Sequence, residues 1–252
     1  RKMDNGLSLS EREVLVSRRY PLSAKFGLGR TGVGGVVIGV AFGSHVVLLV
    51  QALVFGWSRS ILAWSLYVVF VSLFHFLEFL STALYKWDDL SYDSYLLNHS
   101  DAYSTAMVAA VVEFWIESLF LFEPPVTAIV LGAVVVAAGQ SLRCLAMATA
   151  GDHFAHRIMT RKNPGHRLVT SGVYRLFRHP AYVAWFYWSI ATQILLGNPL
   201  CAVAFAYASW TFFNDRIPYE EHTLTTFYPD QYPAYAKHTI LGIPFIAATT
   251  FI

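Results

Sequence analysis

The sequence predicts an all-α fold, a polytopic bundle of transmembrane helices. Charge is scarce and unevenly placed. Only 13% of the 252 residues are Asp, Glu, Lys or Arg, about half the share usual in a soluble globular protein. None of the four stands between Arg30 and Arg59, between Arg59 and Glu78, or between His179 and Asp215. A helix needs about 20 apolar residues to cross a hydrocarbon core about 30 Å thick, so the first stretch holds one span. The last holds two, because Gly197-Asn198-Pro199 interrupts it with residues that break helices.

The first span covers 32–55 and closes at Gly56-Trp57, and the second covers 60–84 and carries His75 and Glu78. A polar connection, 88–100, leads to a third span at 101–122 that bears Glu113 and Glu117. Pro124-Pro125 marks a tight turn, since neither proline nor the residue before it sits well inside a helix. The fourth span is 126–147, followed by a basic loop over 151–178. A helical hairpin, 180–196 and 200–214, brings the count to at least six spans. Residues 215–238 are polar and helical in pattern, and 239–252 form a short apolar tail. The chain divides into membrane helices with a basic N-terminus, 1–150, and a C-terminal region, 151–252, that holds its dense cluster of polar chemistry.

Basic residues set the expected orientation. Residues 1–30 hold seven Lys or Arg and residues 143–178 seven more, with Asp152 the one acid in the second group. Such residues concentrate in cytosolic loops. Threading the spans accordingly leaves Arg59 alone among the eighteen Lys and Arg on the far side. The net charge of +2 is too small to suggest a nucleic-acid partner, and Cys144 and Cys201 have neither metal-ligand spacing nor a disulfide pattern. The chain opens on Arg1, and 1–30 are too polar for a signal peptide or a span, so further residues upstream are an expectation.

Several features have a plain reading. Gly35, Gly39 and Gly43 share one helix face, and such small-residue rows let membrane helices approach closely. His45 is alone on an apolar helix and reads as an interior histidine. The aromatic share of 16% follows from the preference of Trp and Tyr for membrane interfaces. Glu78, Glu113 and Glu117 are harder to place, because an acid inside a span costs about 2.5–3.5 kcal/mol and usually faces the protein interior. Glu113 and Glu117, four apart, either line a polar cavity or sit near the membrane boundary. A cavity there is what a proton-coupled transporter would use.

The last third is chemically denser. Residues 168–182 read LVTSGVYRLFRHPAY and run directly into a span at Pro180. Proline suits a first helical turn. The free N–H groups of that turn, with Gly172, Arg178 and His179, suit a carboxylate or phosphate. After the hairpin comes RIPYEEHTL, 216–224, in which Arg216 and Glu220 are four apart and can meet on one helix face. Pro218 is expected to kink the chain and turn Arg216 toward the bundle. A short hairpin returns residue 216 close to residue 179, so both pieces should share one pocket.

The pairing of LVTSGVYxxxRHPxY with RxxxEExxL resembles the isoprenylcysteine carboxyl methyltransferase family. The likeness extends through SLFHFLE at 72–78, LLNHS at 96–100, MATAG at 147–151 and GIPF at 242–245. It implies an eight-helix form, two of whose spans would precede Gly32, with a cytosolic-facing cofactor pocket in the C-terminal third. It implies methyl esterification of the C-terminal carboxylate of a prenylated cysteine on processed CaaX proteins, small GTPases among them, at the endoplasmic reticulum membrane. The methyl donor would be S-adenosylmethionine, leaving S-adenosylhomocysteine, with no metal. By the family's pattern His166, Arg167, Leu168, Val169, Tyr174, His179, Pro180, Ala181, Tyr182 and Glu220 hold the cofactor. Arg216 faces the substrate and, with Glu220, is catalytic. A related membrane methyltransferase or sterol reductase is the alternative within the same C-terminal half.

Overall fold

The computed structural model describes residues 16, 22, 27–98, 100–162 and 165–246. All its regular elements are helical among those residues. They are α1 (Leu28–Phe55), α2 (Arg59–Tyr85), α3 (Asp101–Phe120), α4 (Val126–Ala150), α5 (Pro180–Leu196), α6 (Pro199–Phe227) and α7 (Gln231–Ala236), joined in places by single 3-10 turns. Helix starts coincide with residues that can satisfy or dispense with the first free N–H groups. The Ser58 hydroxyl accepts from the Ile61 amide at 3.3 Å and the Ser100 hydroxyl from the Tyr103 amide at 3.1 Å. Pro180 and Pro199 stand at the first positions of α5 and α6. Four helices are long and apolar enough to cross a membrane: α1, α2, α3, and α4 together with the turn that extends it to His153.

Most sequence boundaries hold within three or four residues, but the expected end at 214 does not. Helix α6 runs unbroken from Pro199 to Phe227, through Pro218. The proline removes one backbone donor, and the turns on either side carry the helix across the gap. Thus the hairpin arm and the Arg216–Leu224 segment form a single rod.

The connections α1–α2, α3–α4 and α5–α6 lie at one end of the bundle. There Arg59 donates to Glu123 at 3.2 Å, and a Cβ on Gly197 would fall 3.0 Å from Pro124. Glu113 also works at this end: its carboxylate accepts from the Leu200 and Cys201 amides, both at 2.7 Å. An α3 side chain therefore caps the start of α6, where a negative charge complements the helix dipole. Asn198 donates from its side chain to the Ala110 carbonyl at 2.9 Å and fastens the same turn.

Helices α4 and α5 make the tightest pair. A Cβ on Gly132 would lie 2.5 Å from the Leu195 backbone nitrogen, and one on Gly139 would lie 3.0 Å from the Ala184 carbonyl oxygen. Small residues permit this approach, which lets van der Waals packing hold the helices together within lipid. The expected glycine row on α1 behaves differently. Gly35 meets the Tyr95 hydroxyl, whereas Gly39 and Gly43 have open space before them. Residues 239–246 also depart from a simple apolar tail. Leu241, Ile243 and Ile246 pack against Val183, Phe186, Phe213 and Ile217, strapping α5 to α6.

Candidate active site

The other end of the bundle collects the polar chemistry. After α4 the described residues between 151 and 179 form only short 3-10 turns, yet they are held at many points. Leu176 and Arg178 pair with Ile240 in a short parallel bridge through bonds of 3.0 Å each. The Tyr235 hydroxyl donates to the Tyr174 carbonyl at 2.7 Å. His166 has Nε2 3.2 Å from the His153 carbonyl oxygen and Nδ1 3.0 Å from the Tyr228 hydroxyl. Gly172 is required where it stands, since its φ is +55° and a Cβ would fall 2.9 Å from Thr149.

These contacts enclose one cavity between the loop, the start of α5 and the far end of α6. From the loop it takes His166, Arg167, Leu168, Val169 and Tyr174. From the α5 entry it takes His179, Pro180, Ala181 and Tyr182, and from α6 it takes Glu220. All ten residues that the resemblance assigned to the cofactor therefore share its wall. The cavity also draws in His153, Phe154 and Ala155, and Arg178, Leu224, Tyr228, Tyr232 and Tyr235. The tyrosines recur at helical spacing, but in a membrane protein that pattern reads first as an interfacial belt.

Charge is arranged tightly around the wall. Arg178, which the sequence groups with the residues suited to an anion, already meets an acid of the protein. Its Nη1 donates to Glu221 at 2.7 Å, and the Glu221 side chain is wholly buried. The His179 ring stacks on Tyr182, with centroids 5.4 Å apart and planes 7° from parallel. Its Nδ1 lies 3.8 Å from Glu220 and its Nε2 3.5 Å from Glu221. Arg178 Nε and His179 Nε2 are buried with no hydrogen-bond partner among the described residues. Burial pushes the phenols of Tyr174, Tyr232 and Tyr235 above their ordinary range, and the Glu220 and Glu221 charges add to this for Tyr174 and Tyr232 respectively. These side chains stay neutral at physiological pH, so their hydroxyls keep a proton to donate, as Tyr235 does to the Tyr174 carbonyl.

Arg216 and Glu220 share a helix face as expected, but they are bridged rather than directly paired. Arg216 Nε donates to the Tyr182 hydroxyl at 2.8 Å, and that hydroxyl donates to Glu220 Oε2 at 2.5 Å. Arg216 Nη2 donates to the His156 carbonyl at 2.5 Å. Its Cζ lies 5.4 Å from the centre of the Tyr182 ring and 5.5 Å from that of Phe212. The guanidinium thus stands beside the cavity, one hydroxyl away from Glu220. Its partners are neutral, so its full charge is available to an anion.

Glu78 completes the picture from within α2. It is wholly buried and accepts from Arg143 and from His156, the latter at 2.8 Å. Sequence reading left Glu78 without a partner, because its contacts lie 65 and 78 residues away.

Known proteins resemble this chain in sequence and in fold. The profile of the isoprenylcysteine carboxyl methyltransferase (ICMT) family matches residues 128–226. A protein-S-isoprenylcysteine O-methyltransferase of Xenopus laevis is 44% identical over 216 residues, which cover 83% of this chain and 71% of that protein. The Homo sapiens protein of the same name is 45% identical over 194 residues, covering 76% and 65%. A solved structure of the eukaryotic intramembrane Ras methyltransferase ICMT superposes with a TM-score of 0.77 at 38% identity, over 95% of this chain and 88% of that one. On this likeness in sequence and fold, the chain belongs to the isoprenylcysteine carboxyl methyltransferase family, as a multi-pass helical membrane protein.

Proposed function

We propose that this chain transfers a methyl group from S-adenosylmethionine to the C-terminal carboxylate of a prenylated cysteine, a reading supported by relatives named as isoprenylcysteine O-methyltransferases. One observation carries the reading. The residues matching the family's cofactor pattern line a single cavity, and Arg216 stands at its edge, joined to Glu220 through Tyr182.

The residues fit this methyl donor. Glu220, whose side chain is 24% exposed, can accept from an ammonium group or from ribose hydroxyls. The first turn of α5 and the unpartnered Nε of Arg178 suit a carboxylate. The phenol rings around the cavity offer faces to a cation or an adenine. When bound, the donor supplies an electrophilic methyl group on a sulfonium. The protein's own tasks are alignment and exclusion of water.

No general base is needed. A chain-terminal carboxylate has an ordinary pKa of about 3.5 and is already ionised at neutral pH. What limits the reaction is geometry, since the attacking oxygen must be held in line in a dry site. Arg216 can hold that carboxylate by charge-assisted hydrogen bonds. Its Nε and Nη2 are committed to Tyr182 and His156, and Nη1 has no partner among the described residues. A long isoprenoid is as apolar as lipid, so it enters sideways between helices, while the methyl donor enters from the aqueous side.

The wider reading follows from the same features. Residues 151–252 form the catalytic region, and 1–150 the supporting membrane helices. The excess of Lys and Arg in the loops around the cavity supports a cytosolic orientation, and the family reading puts that membrane at the endoplasmic reticulum. The substrates are processed CaaX proteins such as small GTPases. Helices α5 and α6 add two spans to the four long apolar helices, within an eight-helix family form. The test is methyl incorporation by purified protein in liposomes, given labelled S-adenosylmethionine and a farnesylated cysteine analogue. A base-labile methyl ester is the expected product, and its absence overturns the reading. Arg216→Ala should lower turnover by about a hundredfold while S-adenosylhomocysteine still binds.

A further inference from the structure

Glu78 is an acid inside the membrane helices that the chemistry above does not use. Its carboxylate receives three donated hydrogen bonds, from Arg143 Nε, from Arg143 Nη2 at 2.9 Å and from His156 Nε2 at 2.8 Å. Each donor leads onward. Arg143 Nη1 donates to the Ala181 carbonyl at 3.2 Å, on the first turn of α5 and in the cavity wall. The backbone carbonyl of His156 accepts from Arg216 Nη2 at 2.5 Å. One buried carboxylate is therefore tied, through one residue in each direction, to the methyl-donor cavity and to the guanidinium beside it.

The Arg143 arm alone would balance the charge of Glu78. His156 is a different kind of partner. Its side chain is 34% exposed and it lies on a segment without regular structure. Such a segment has little of its own to fix the direction of a carbonyl group. The imidazole's bond to a rigid, saturated carboxylate supplies that direction. An anchored carbonyl then fixes Arg216 through a neutral acceptor, which orients the guanidinium without neutralising it.

We propose that Glu78 and His156 are positioning residues for Arg216: Glu78, clamped by Arg143, pins the His156 ring so that its carbonyl sets the guanidinium for the substrate carboxylate. This rests on the methyltransferase reading above. The Nε2–H of His156 is the essential group. Glutamine can offer an N–H in nearly the same place, and alanine cannot.

The test uses the purified full chain in liposomes, with KM and kcat for a farnesylated cysteine analogue and Kd for S-adenosylhomocysteine. His156→Ala should lower kcat/KM for the carboxylate substrate about tenfold or more, as a misplaced catalytic group does. Its Kd for S-adenosylhomocysteine should stay within about twofold, and His156→Gln should recover most of the loss. In an Arg216→Lys background, His156→Ala should lower kcat/KM much less than in the wild type, since residues acting through one group are not additive. A full-sized effect in that background, equal loss of cofactor binding, or an unchanged His156→Ala enzyme overturns the proposal. Glu78→Gln, which leaves Arg143 unbalanced, is read only beside these variants. A wild type that makes no ester overturns the reaction itself, a failure distinct from any of these.

Discussion

Glu78 and Glu221 are both wholly buried, each meets one arginine and one histidine, and each lies beside the entry to α5. Their hydrogen bonding is nonetheless different. Glu78 uses both oxygens, with Arg143 on each and His156 on one. Arg178 reaches Glu221 with one nitrogen, at 2.7 Å, and its Nε and the neighbouring His179 Nε2 have no hydrogen-bond partner among the described residues. The saturated cluster lies behind the site, with Glu78 and Arg143 on helices packed within the bundle and His156 on the loop that follows them. The cluster with open donors forms part of the cavity wall. Buried donors of this kind are normally satisfied, so leaving them open suits a wall that a polar ligand completes.

The largest expected effect breaks the second cluster. Glu221→Ala would leave the Arg178 guanidinium buried beside an apolar stub. Removing one partner of a buried ion pair destabilises by about 3–5 kcal/mol. The purified protein should therefore melt well below the wild type, and S-adenosylmethionine should raise its Tm less. A variant with wild-type melting and wild-type ligand stabilisation would show that the Glu221 side is no part of the ligand wall.

The first cluster should respond in the opposite sense. Glu78→Leu combined with Arg143→Met replaces the pair with apolar side chains of similar size. Such exchanges are often neutral or stabilising, so Tm should stay near or above the wild type. Turnover should still fall about tenfold, because the links to Ala181 and His156 are gone. A double variant that is stable and fully active would reduce the cluster to packing. A smaller effect tests the frame that holds both clusters. Gly132→Ala sets a methyl group against the Leu195 backbone, where α4 and α5 are closest, and overpacking of this kind destabilises by about 1–3 kcal/mol. Gly43→Ala meets open space and should change stability by no more than about 0.5 kcal/mol. Equal effects at the two positions would contradict this difference in packing.

Much of this frame was legible in the sequence, and the illegible part has a common cause. Charge-free stretches and the breaks at Gly56, Pro125 and Gly197-Pro199 give the helix ends, because spans need length and lack of charge. The ten residues that the family resemblance assigned to the cofactor share one cavity wall with others that no motif marked. Glu78 resisted because nothing near it in the chain signals Arg143 or His156. Glu113 left two readings open, a polar cavity or the membrane boundary, and it caps α6 at one end of the bundle, through amides that lie 87 and 88 residues on. The glycine row on α1 has the right spacing for close packing, yet the closest approach is at Gly132 on α4. Spacing shows which residues share a face, but what that face meets is settled by tertiary packing. The helix end expected at 214 was overridden likewise, by a helix that continues through Pro218.

The smallest effect separates the clusters by pH. Three phenols in the cavity wall, Tyr174, Tyr232 and Tyr235, are pushed above their ordinary range by burial, while the Arg178 charge draws Tyr232 and Tyr235 back in part. In the unfolded chain a tyrosine ionises near pH 10. Between that value and the higher folded one, the unfolded state has released a proton that the folded state keeps, so stability falls as pH rises. Below about pH 10 the contribution is complete. The Tm of the purified protein should therefore be insensitive to these phenols at neutral and mildly alkaline pH, and should begin to fall near pH 10. Tyr235→Phe should soften that fall, although losing the bond to the Tyr174 carbonyl should lower Tm at every pH, by about 1 kcal/mol of stability. An alkaline limb of unchanged slope in this variant would remove Tyr235 from the set.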